Sequence, residues 1–116
     1  YIFLIYSDEK AAPPEPTTPE EFAAMMEPWE VYSKALVDAG VMRGGEALEL
    51  TDKATTVSVE TGETVITDGP FAETREQLGG YYMVECENLD DALHWAAKRP
   101  AAAYGRIEVR PIMDLG

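Results

Sequence analysis

The opening run of the chain, residues 1–6, is apolar at every position. Because a strand that is apolar on both sides is typical of one with both faces buried, we expect this strand at the centre of a sheet. A polar, proline-rich segment follows it. Thr18, Pro19 and Glu21 then form a helix start, with a capping hydroxyl, a proline at the first helical position and a capping-box carboxylate.

Apolar residues then recur three and four positions apart until Gly40, which predicts an amphipathic helix over residues 19–39. Pro28 lies inside this pattern. It removes one backbone donor and crowds the preceding turn, so it predicts a kink. The spacing continues on both sides of Pro28, so the helix is not expected to end there.

After Val41 the pattern becomes that of short strands, and Thr61 and Gly62 give a hairpin turn signal between two of them. Asn88 is placed to cap a second helix that Pro100 ends. The predicted strands cover residues 44–50, 54–60, 63–68, 80–87 and 106–112. The predicted buried stripe of the second helix consists of Leu89, Leu93, Ala96 and Ala97.

This order predicts one α+β domain over residues 1–116, with a ferredoxin-like split βαβ fold and an extra β-hairpin. Right-handed crossovers place both helices on the same face of the sheet. The other face has no cover from the chain itself, although Tyr81 and Met83 make it partly apolar. A second copy is the economical cover, so we expect a homodimer.

Acidic residues number 22 against 9 basic ones, for a net charge of −13. Such a surface repels phosphate backbones and anionic lipid, so neither nucleic acid nor membrane is expected as a partner. Cys86 is the only cysteine, which excludes an internal disulfide and a CxxC motif, and its apolar surroundings indicate a core position. The chain has no apolar run long enough to span a bilayer, so a cytoplasmic location is expected.

The segment from Asp68 to Gly80 is too polar for a core and too rich in special residues for a plain linker. Gly69 and Pro70 predict a rigid turn that holds Phe71. The carboxylate of Asp68 is placed to accept hydrogen bonds from the backbone amides of this turn. Two interpretations stay open. The segment is a binding loop presenting an aromatic ring and charges, or a turn whose aromatic ring plugs the sheet edge.

Arg75 is the single base between Glu60 and Asp91. It either satisfies neighbouring carboxylates or awaits an anionic group. A carboxylate site for a hard cation is also open here, although no calcium-loop spacing occurs. The carboxylates concerned are Asp68, Glu73 and Glu76. His94, the sole histidine, has no companions for a zinc site, so we expect it in a solvent-facing ion pair.

The motif DGPFAETREQLGGYY, with GGEAL upstream and IEVRPI near the end, resembles the DGPF subgroup of the YCII-related family over essentially the whole chain. The resemblance implies a ferredoxin-like fold that dimerises into an α/β barrel, in a superfamily that includes muconolactone isomerase-like and chlorite dismutase-like enzymes. It also implies a bacterial protein, often encoded beside an extracytoplasmic-function sigma factor. Broader YCII-type proteins tend to carry a histidine in the first helix and an aspartate before the proline after the second, as a suspected acid–base pair. This chain has no such histidine, and Arg99 precedes Pro100, so that pair is not carried over.

Two functions are therefore predicted as alternatives. The first is a small-molecule binding protein or cofactor-independent enzyme, with no metal and no cofactor. The second is a non-catalytic interaction module that modulates a sigma factor through an acidic surface. The predicted ligand-binding residues are Asp68, Phe71, Glu73 and Arg75 at the barrel mouth, and Tyr81, Glu85 and Arg110 facing the interior. With Glu108, the interior residues make either a pocket or a lattice of salt bridges between subunits.

Overall fold

The computed structural model describes residues 1–11, 15–100 and 105–116. Its elements, in chain order, are β1 (Ile2–Ser7), α1 (Pro19–Asp38), β2 (Met42–Ala47), β3 (Thr55–Glu60), β4 (Glu63–Asp68), β5 (Gln77–Val84), α2 (Leu89–Ala97) and β6 (Gly105–Arg110). Four strands form an antiparallel sheet in the order β2-β5-β1-β6, and β3 pairs with β4 in a separate sheet. The ferredoxin-like α+β fold with an added hairpin is confirmed, and β1 is central as predicted.

Local hydrogen bonds explain why α1 begins where it does. The hydroxyl of Thr18 accepts a hydrogen bond from the backbone amide of Glu21 at 3.1 Å. The Glu21 carboxylate accepts hydrogen bonds from the amide of Thr17 at 2.9 Å and from its hydroxyl at 3.2 Å. These bonds favour the ionised form and lower the pKa of Glu21. The predicted helix start is confirmed, and α1 continues through Pro28 as expected.

The core lies between the four-stranded sheet and the two helices, which confirms that both helices cover the same face. Its buried members are Phe3, Tyr32, Leu36, Tyr82, Val84, Ala92 and Ala96. Tyr82 is the centre of an aromatic cluster: its ring stacks on Trp29 with centroids 6.4 Å apart, and Tyr32 meets it edge-on at 5.4 Å. Such ring contacts stabilise the fold beyond the stabilisation that comes from removing the apolar area of these large rings from water.

Of the predicted buried stripe of α2, Ala96 is buried as expected, whereas the prediction is wrong for Leu89, Leu93 and Ala97. Leu89 and Leu93 are 47% and 46% exposed, Ala97 is exposed, and the other buried residue of α2 is Ala92. The hydroxyl of Tyr32 reaches the backbone carbonyl of Trp95 at 2.8 Å, so the aromatic cluster already fills the space beneath α2. Since α2 must come this close, its core-facing side accommodates alanine better than leucine.

The β3–β4 hairpin has the predicted two-residue turn. Thr61 and Gly62 both have positive φ angles, 52° and 82°, which is the conformation that tight hairpins require. At the base, the amide of Gly69 donates to the carbonyl of Ala54 at 2.7 Å, and the hydroxyl of Thr56 donates to the carbonyl of Gly69 at 2.8 Å. The hairpin is therefore a defined element outside the four-stranded sheet.

Candidate functional site

The face of the sheet opposite the helices is apolar in the middle and charged along one margin. In the register, Leu4 of β1 lies between Tyr81 of β5 and Glu108 of β6. Ile2 lies between Met83 and Arg110 in the same way. Because directly opposed residues of antiparallel strands point to one side, these side chains share what we call the open face.

A cleft of about 350 Å³ lies at one end of this open face. It is lined by Tyr6, Glu76, Arg106, Ile107 and Glu108. The side chain of Glu76 is only 24% exposed, and one of its carboxylate oxygens lies 3.5 Å from Nε of Arg106, which is 80% exposed. The cleft thus combines a phenol, a guanidinium and two carboxylates, which both donate and accept hydrogen bonds.

A chain of hydrogen bonds fixes the segment that carries Glu76. The hydroxyl of Thr74 donates to the carbonyl of Glu76 at 2.6 Å, and the side-chain amide of Gln77 donates to the carbonyl of Thr74 at 2.6 Å. The side-chain oxygen of Gln77 also accepts a hydrogen bond from the backbone amide of Glu9, which lies 2.9 Å away just after β1. Glu76 is therefore held against the sheet by bonds to residues on both sides of it.

The four residues predicted for the barrel mouth lie on or beside the exposed segment that joins β4 to β5. Asp68 ends β4, whereas Phe71, Glu73 and Arg75 follow it and are exposed, with Phe71 at 89%. The expected capping of the turn by Asp68 is wrong. Among the described residues its carboxylate accepts no hydrogen bond, because the amide of Gly69 donates to the carbonyl of Ala54 instead.

The three residues predicted for the interior fall in two places. Tyr81 lies half-buried in the middle of the open face, and Arg110 lies at its margin in an ion pair with Glu108 on the same strand. Glu85 lies beyond the end of β5, where its carboxylate pairs with Arg43 at 2.5 and 3.0 Å. The structure therefore brings Tyr81 and Arg110 to one face and ties Glu85 to the end of β2.

Sequence reasoning placed Glu108 on the interior face and named Glu76 only as a carboxylate for a hard cation, and it missed the cleft residues Tyr6 and Arg106. Tyr6 belongs to an apolar run, and Glu76 is one carboxylate among several. The available signal was the alternation of Arg106, Glu108 and Arg110, which puts three charges on one face of the last strand. Relating that strand to Tyr6 and Glu76 needs the register across β1, which the sequence pattern does not specify.

The structure also bears on a reactive cysteine, on a metal site and on a membrane span. Burial, reinforced by the nearby carboxylate of Asp91, raises the pKa of the Cys86 thiol, which disfavours the nucleophilic thiolate. Within residues 1–11, 15–100 and 105–116, no three side chains of the His, Cys, Asp and Glu types come together to hold a metal ion. None of the described helices is long and apolar enough to cross a membrane.

A second, larger groove of about 450 Å³ runs between the two helices on the other side of the molecule. Its walls are mostly apolar and include Val31, Tyr32, Trp95 and Pro100. Lys98 stands over the ring of Trp95, 4.8 Å from its centroid. The charged side chains of the groove are Glu27 and Lys98, whereas the cleft has Glu76, Arg106 and Glu108, so the cleft is the better candidate site.

Comparison with known proteins agrees with this architecture. The model of the YCII-related domain matches residues 1–116, so the chain belongs to the YCII-related family. An uncharacterized protein of Rhizobium meliloti (strain 1021) is 37% identical over 114 residues, which cover 97% of this chain and 90% of the relative. The family and the fold are therefore established together, and the uncharacterized relative indicates no activity for this chain.

Proposed function

We propose that the protein binds a small polar molecule in the cleft of Tyr6, Glu76 and Arg106, and that a second copy of the chain closes this cleft. The observation that carries the proposal is the half-buried carboxylate of Glu76, held by its own segment in an open cleft beside an exposed guanidinium. Sites for small molecules combine an apolar wall with a few fixed polar groups, and the open face supplies both.

The dimer is supported by the composition of the open face. Ile2, Leu4 and Met83 lie there without cover from either helix. A contiguous apolar sheet face is a surface that another protein layer normally covers. In the arrangement that we propose, two open faces pack into an α/β barrel, as the resemblance to the DGPF subgroup suggests.

The donor set limits the class of molecule. Tyr6 and Arg106 donate hydrogen bonds, whereas Glu76 and Glu108 accept them, so the preferred ligand carries both acceptors and donors. A neutral or zwitterionic molecule suits this balance better than a polyanion. The same groups suit a cofactor-independent proton transfer with Glu76 as the base, since its backbone is fixed and its half-buried carboxylate borders the cleft.

The residues predicted from the sequence have a place in this proposal. Phe71 and Arg75 lie on the segment that leads into Glu76, so a second copy packed on the open face would bring them to the rim of the closed cleft. Asp68 and Glu73 lie on or beside the same segment. Their role as ligand-binding residues stays a prediction.

Native mass spectrometry of freshly purified protein tests the proposal. We expect a dimer that carries an additional mass, with a small molecule released on denaturation. Glu76→Gln and Arg106→Gln should lose that mass, whereas Lys34→Gln, which removes an exposed charge on α1, should retain it. A wild-type monomer at micromolar concentration, or equal retention by all three variants, would contradict the proposal.

A second candidate function is a non-catalytic interaction module. It is favoured by apolar side chains on α1 that point away from the core, namely Phe22, Met25, Val31 and Val37, each 46–63% exposed. The partner suggested by the resemblance is an extracytoplasmic-function sigma factor, and the net charge of −13 suits a basic surface on it. Val31→Lys should abolish such binding and leave the retained mass in the cleft unchanged.

A further inference from the structure

The groove between α1 and α2 is lined by residues at helical spacing. On α1 these are Glu27, Pro28, Val31 and Ala35, and at the end of α2 they are Trp95, Lys98 and Pro100. Tyr32 also lines the groove and is only 4% exposed, so it lies at the base. Val31 and Ala35 are exposed, which places the groove on the outer side of the helical layer.

The separation of the two walls is fixed by the core beneath them. The hydroxyl of Tyr32 on α1 donates to the carbonyl of Trp95 on α2 at 2.8 Å, so one hydrogen bond joins the walls. The ring of Tyr32 in turn meets Trp29 and Tyr82 edge-on, with centroids 6.4 and 5.4 Å apart. A groove held in this way exists before a ligand arrives, and binding to it orders few additional groups.

The size and the walls of the groove suit a small molecule. Its volume of about 450 Å³ lies within the range of roughly 300 to 1,000 Å³ that is usual for such sites. Val31, which is 63% exposed, and the rings of Trp95 and Pro100 offer hydrocarbon to a ligand. Burial of that hydrocarbon favours a ligand with an apolar body.

Lys98 supplies a positive charge beside this hydrocarbon. Its ammonium lies 4.8 Å from the centroid of the Trp95 ring, whose face attracts a cation. Among the described residues it forms no ion pair, and the remaining segments, residues 12–14 and 101–104, contain no acidic residue. Lys34 on α1, by contrast, pairs with Asp38 at 2.7 Å. In a chain with 22 acidic residues, the groove thus keeps a cation without an acidic partner.

The charges of the groove select the kind of anion. A carboxylate accepts charge-assisted hydrogen bonds from an ammonium group such as that of Lys98. Glu27 lines the same groove, and the chain has a net charge of −13, so a dianion or polyanion is repelled. One negative charge on an apolar body therefore fits better than a phosphate.

We infer that the groove between α1 and α2 binds a small monocarboxylate, whose carboxylate pairs with Lys98 and whose apolar body packs against Val31, Ala35 and Trp95. The apolar wall and the single cation act on two different parts of such a molecule. This site is separate from the cleft on the open face, since the helices lie on the opposite side of the sheet. The inference therefore does not depend on the proposed dimer.

Nuclear magnetic resonance titration of the full chain with 2-naphthylacetate tests the site. We expect saturable shifts of the Trp95 indole and Val31 methyl signals, with a dissociation constant of about 1 mM or lower, and no shift of the Ile107 methyl signals in the cleft. The neutral 2-naphthylacetamide has the same body and should bind at least about fivefold more weakly. Octanoate carries the same charge on a flexible chain, so its affinity distinguishes an alkyl from an aromatic body, and saturation by either acid at Trp95 supports the site.

Two pairs of variants separate the charge from the apolar wall. Lys98→Gln should weaken the acid at least about fivefold and leave the amide unchanged, whereas Lys34→Gln, outside the groove, should change either by less than about twofold. Ala35→Leu fills the groove and should weaken both ligands at least about tenfold. Ala23→Leu makes the same enlargement at an exposed position of α1 outside the groove, and should weaken neither.

The inference is overturned if neither acid saturates by about 10 mM, or if the shifts appear at Ile107 and not at Trp95. Equal affinity for acid and amide, or an unaltered affinity in Lys98→Gln, overturns the pairing with Lys98. If Ala35→Leu changes the circular dichroism spectrum, Val31→Asp at an exposed position replaces it, and should weaken the acid more than the amide by repulsion. The cleft and the dimer are measured separately by native mass spectrometry.

Discussion

The hydroxyl of Tyr32 on α1 donates a hydrogen bond to the backbone carbonyl of Trp95 on α2 at 2.8 Å. Tyr32 is almost fully buried, and the bond joins the two helices above the centre of the sheet. Tyr32→Phe removes the donor and leaves the Trp95 carbonyl with the amide of Lys98, 3.1 Å away, so we expect the free energy of unfolding to fall by about 1 kcal/mol. Urea denaturation measures this. Tyr6→Phe, at the cleft, should change the same quantity by less than about 0.5 kcal/mol.

Burial gives Tyr32 a second, pH-dependent effect. Desolvation, with a smaller contribution from Tyr82, raises the pKa of Tyr32 above its ordinary value of 10.0. Because the pKa is higher in the folded state, the associated stability is complete below pH 10 and is lost as the pH rises further. Urea midpoints of the wild type should fall more steeply above pH 10 than those of Tyr32→Phe. Parallel pH profiles would contradict this assignment.

The end of β1 is tied to the chain before the hairpin by Glu9 and Thr51. The Glu9 carboxylate accepts hydrogen bonds from the amide of Thr51 at 2.9 Å and from its hydroxyl at 2.6 Å. Thr51→Val removes the hydroxyl while keeping its shape, and we expect a loss of about 1 to 2 kcal/mol, since the acceptor is charged. Thr67→Val, at an exposed position of the hairpin, is the control. Equal melting of the two variants would show that the Thr51 hydroxyl contributes nothing.

The parts of the fold that local signals determine were predictable from the sequence. The cap of α1 at Thr18 and the turn at Thr61 and Gly62 depend on residues that are neighbours in the chain. The strand order was also predictable, because a chain that alternates strands and helices with right-handed crossovers can adopt few topologies. Three of the four stripe residues of α2 were wrong, because which side of a short helix faces the core depends on the partners beneath it. One of those partners is Tyr32, whose hydroxyl reaches the carbonyl of Trp95.

The candidate site was only partly predictable. The segment after Asp68 was singled out by its composition, and its last residues do carry Glu76 into the cleft. Tyr6 and Arg106 complete the cleft from two other strands and are one hundred residues apart in the sequence. Their meeting depends on the register of β1 with β6, which is a property of the folded sheet.

Strand β2 approaches β5 so closely that Gly45 has no room for a side chain. A Cβ atom there would lie 2.7 Å from the carbonyl oxygen of Tyr81 and 2.9 Å from the ring of Tyr82. Gly45→Ala should therefore lower the free energy of unfolding by about 2 kcal/mol or more, through displacement of backbone. Gly79→Ala is the matched control, since its Cβ would meet no atom closer than 4.0 Å. Thermal unfolding of the pair separates steric crowding from a general glycine effect.

Asp68 and Gly69 contribute unequally to the stability of the turn that follows β4. The Asp68 carboxylate is exposed and accepts no hydrogen bond among the described residues, so Asp68→Asn should change the free energy of unfolding by less than about 0.5 kcal/mol. Gly69 has a φ of 91°, which L-residues rarely adopt, so Gly69→Ala should cost about 1 to 2 kcal/mol. Chemical denaturation of both variants measures the difference. If Asp68→Asn keeps its stability but loses the molecule retained by the wild type, the Asp68 carboxylate contacts the ligand; if its stability falls as far as that of Gly69→Ala, the carboxylate stabilises the turn after all.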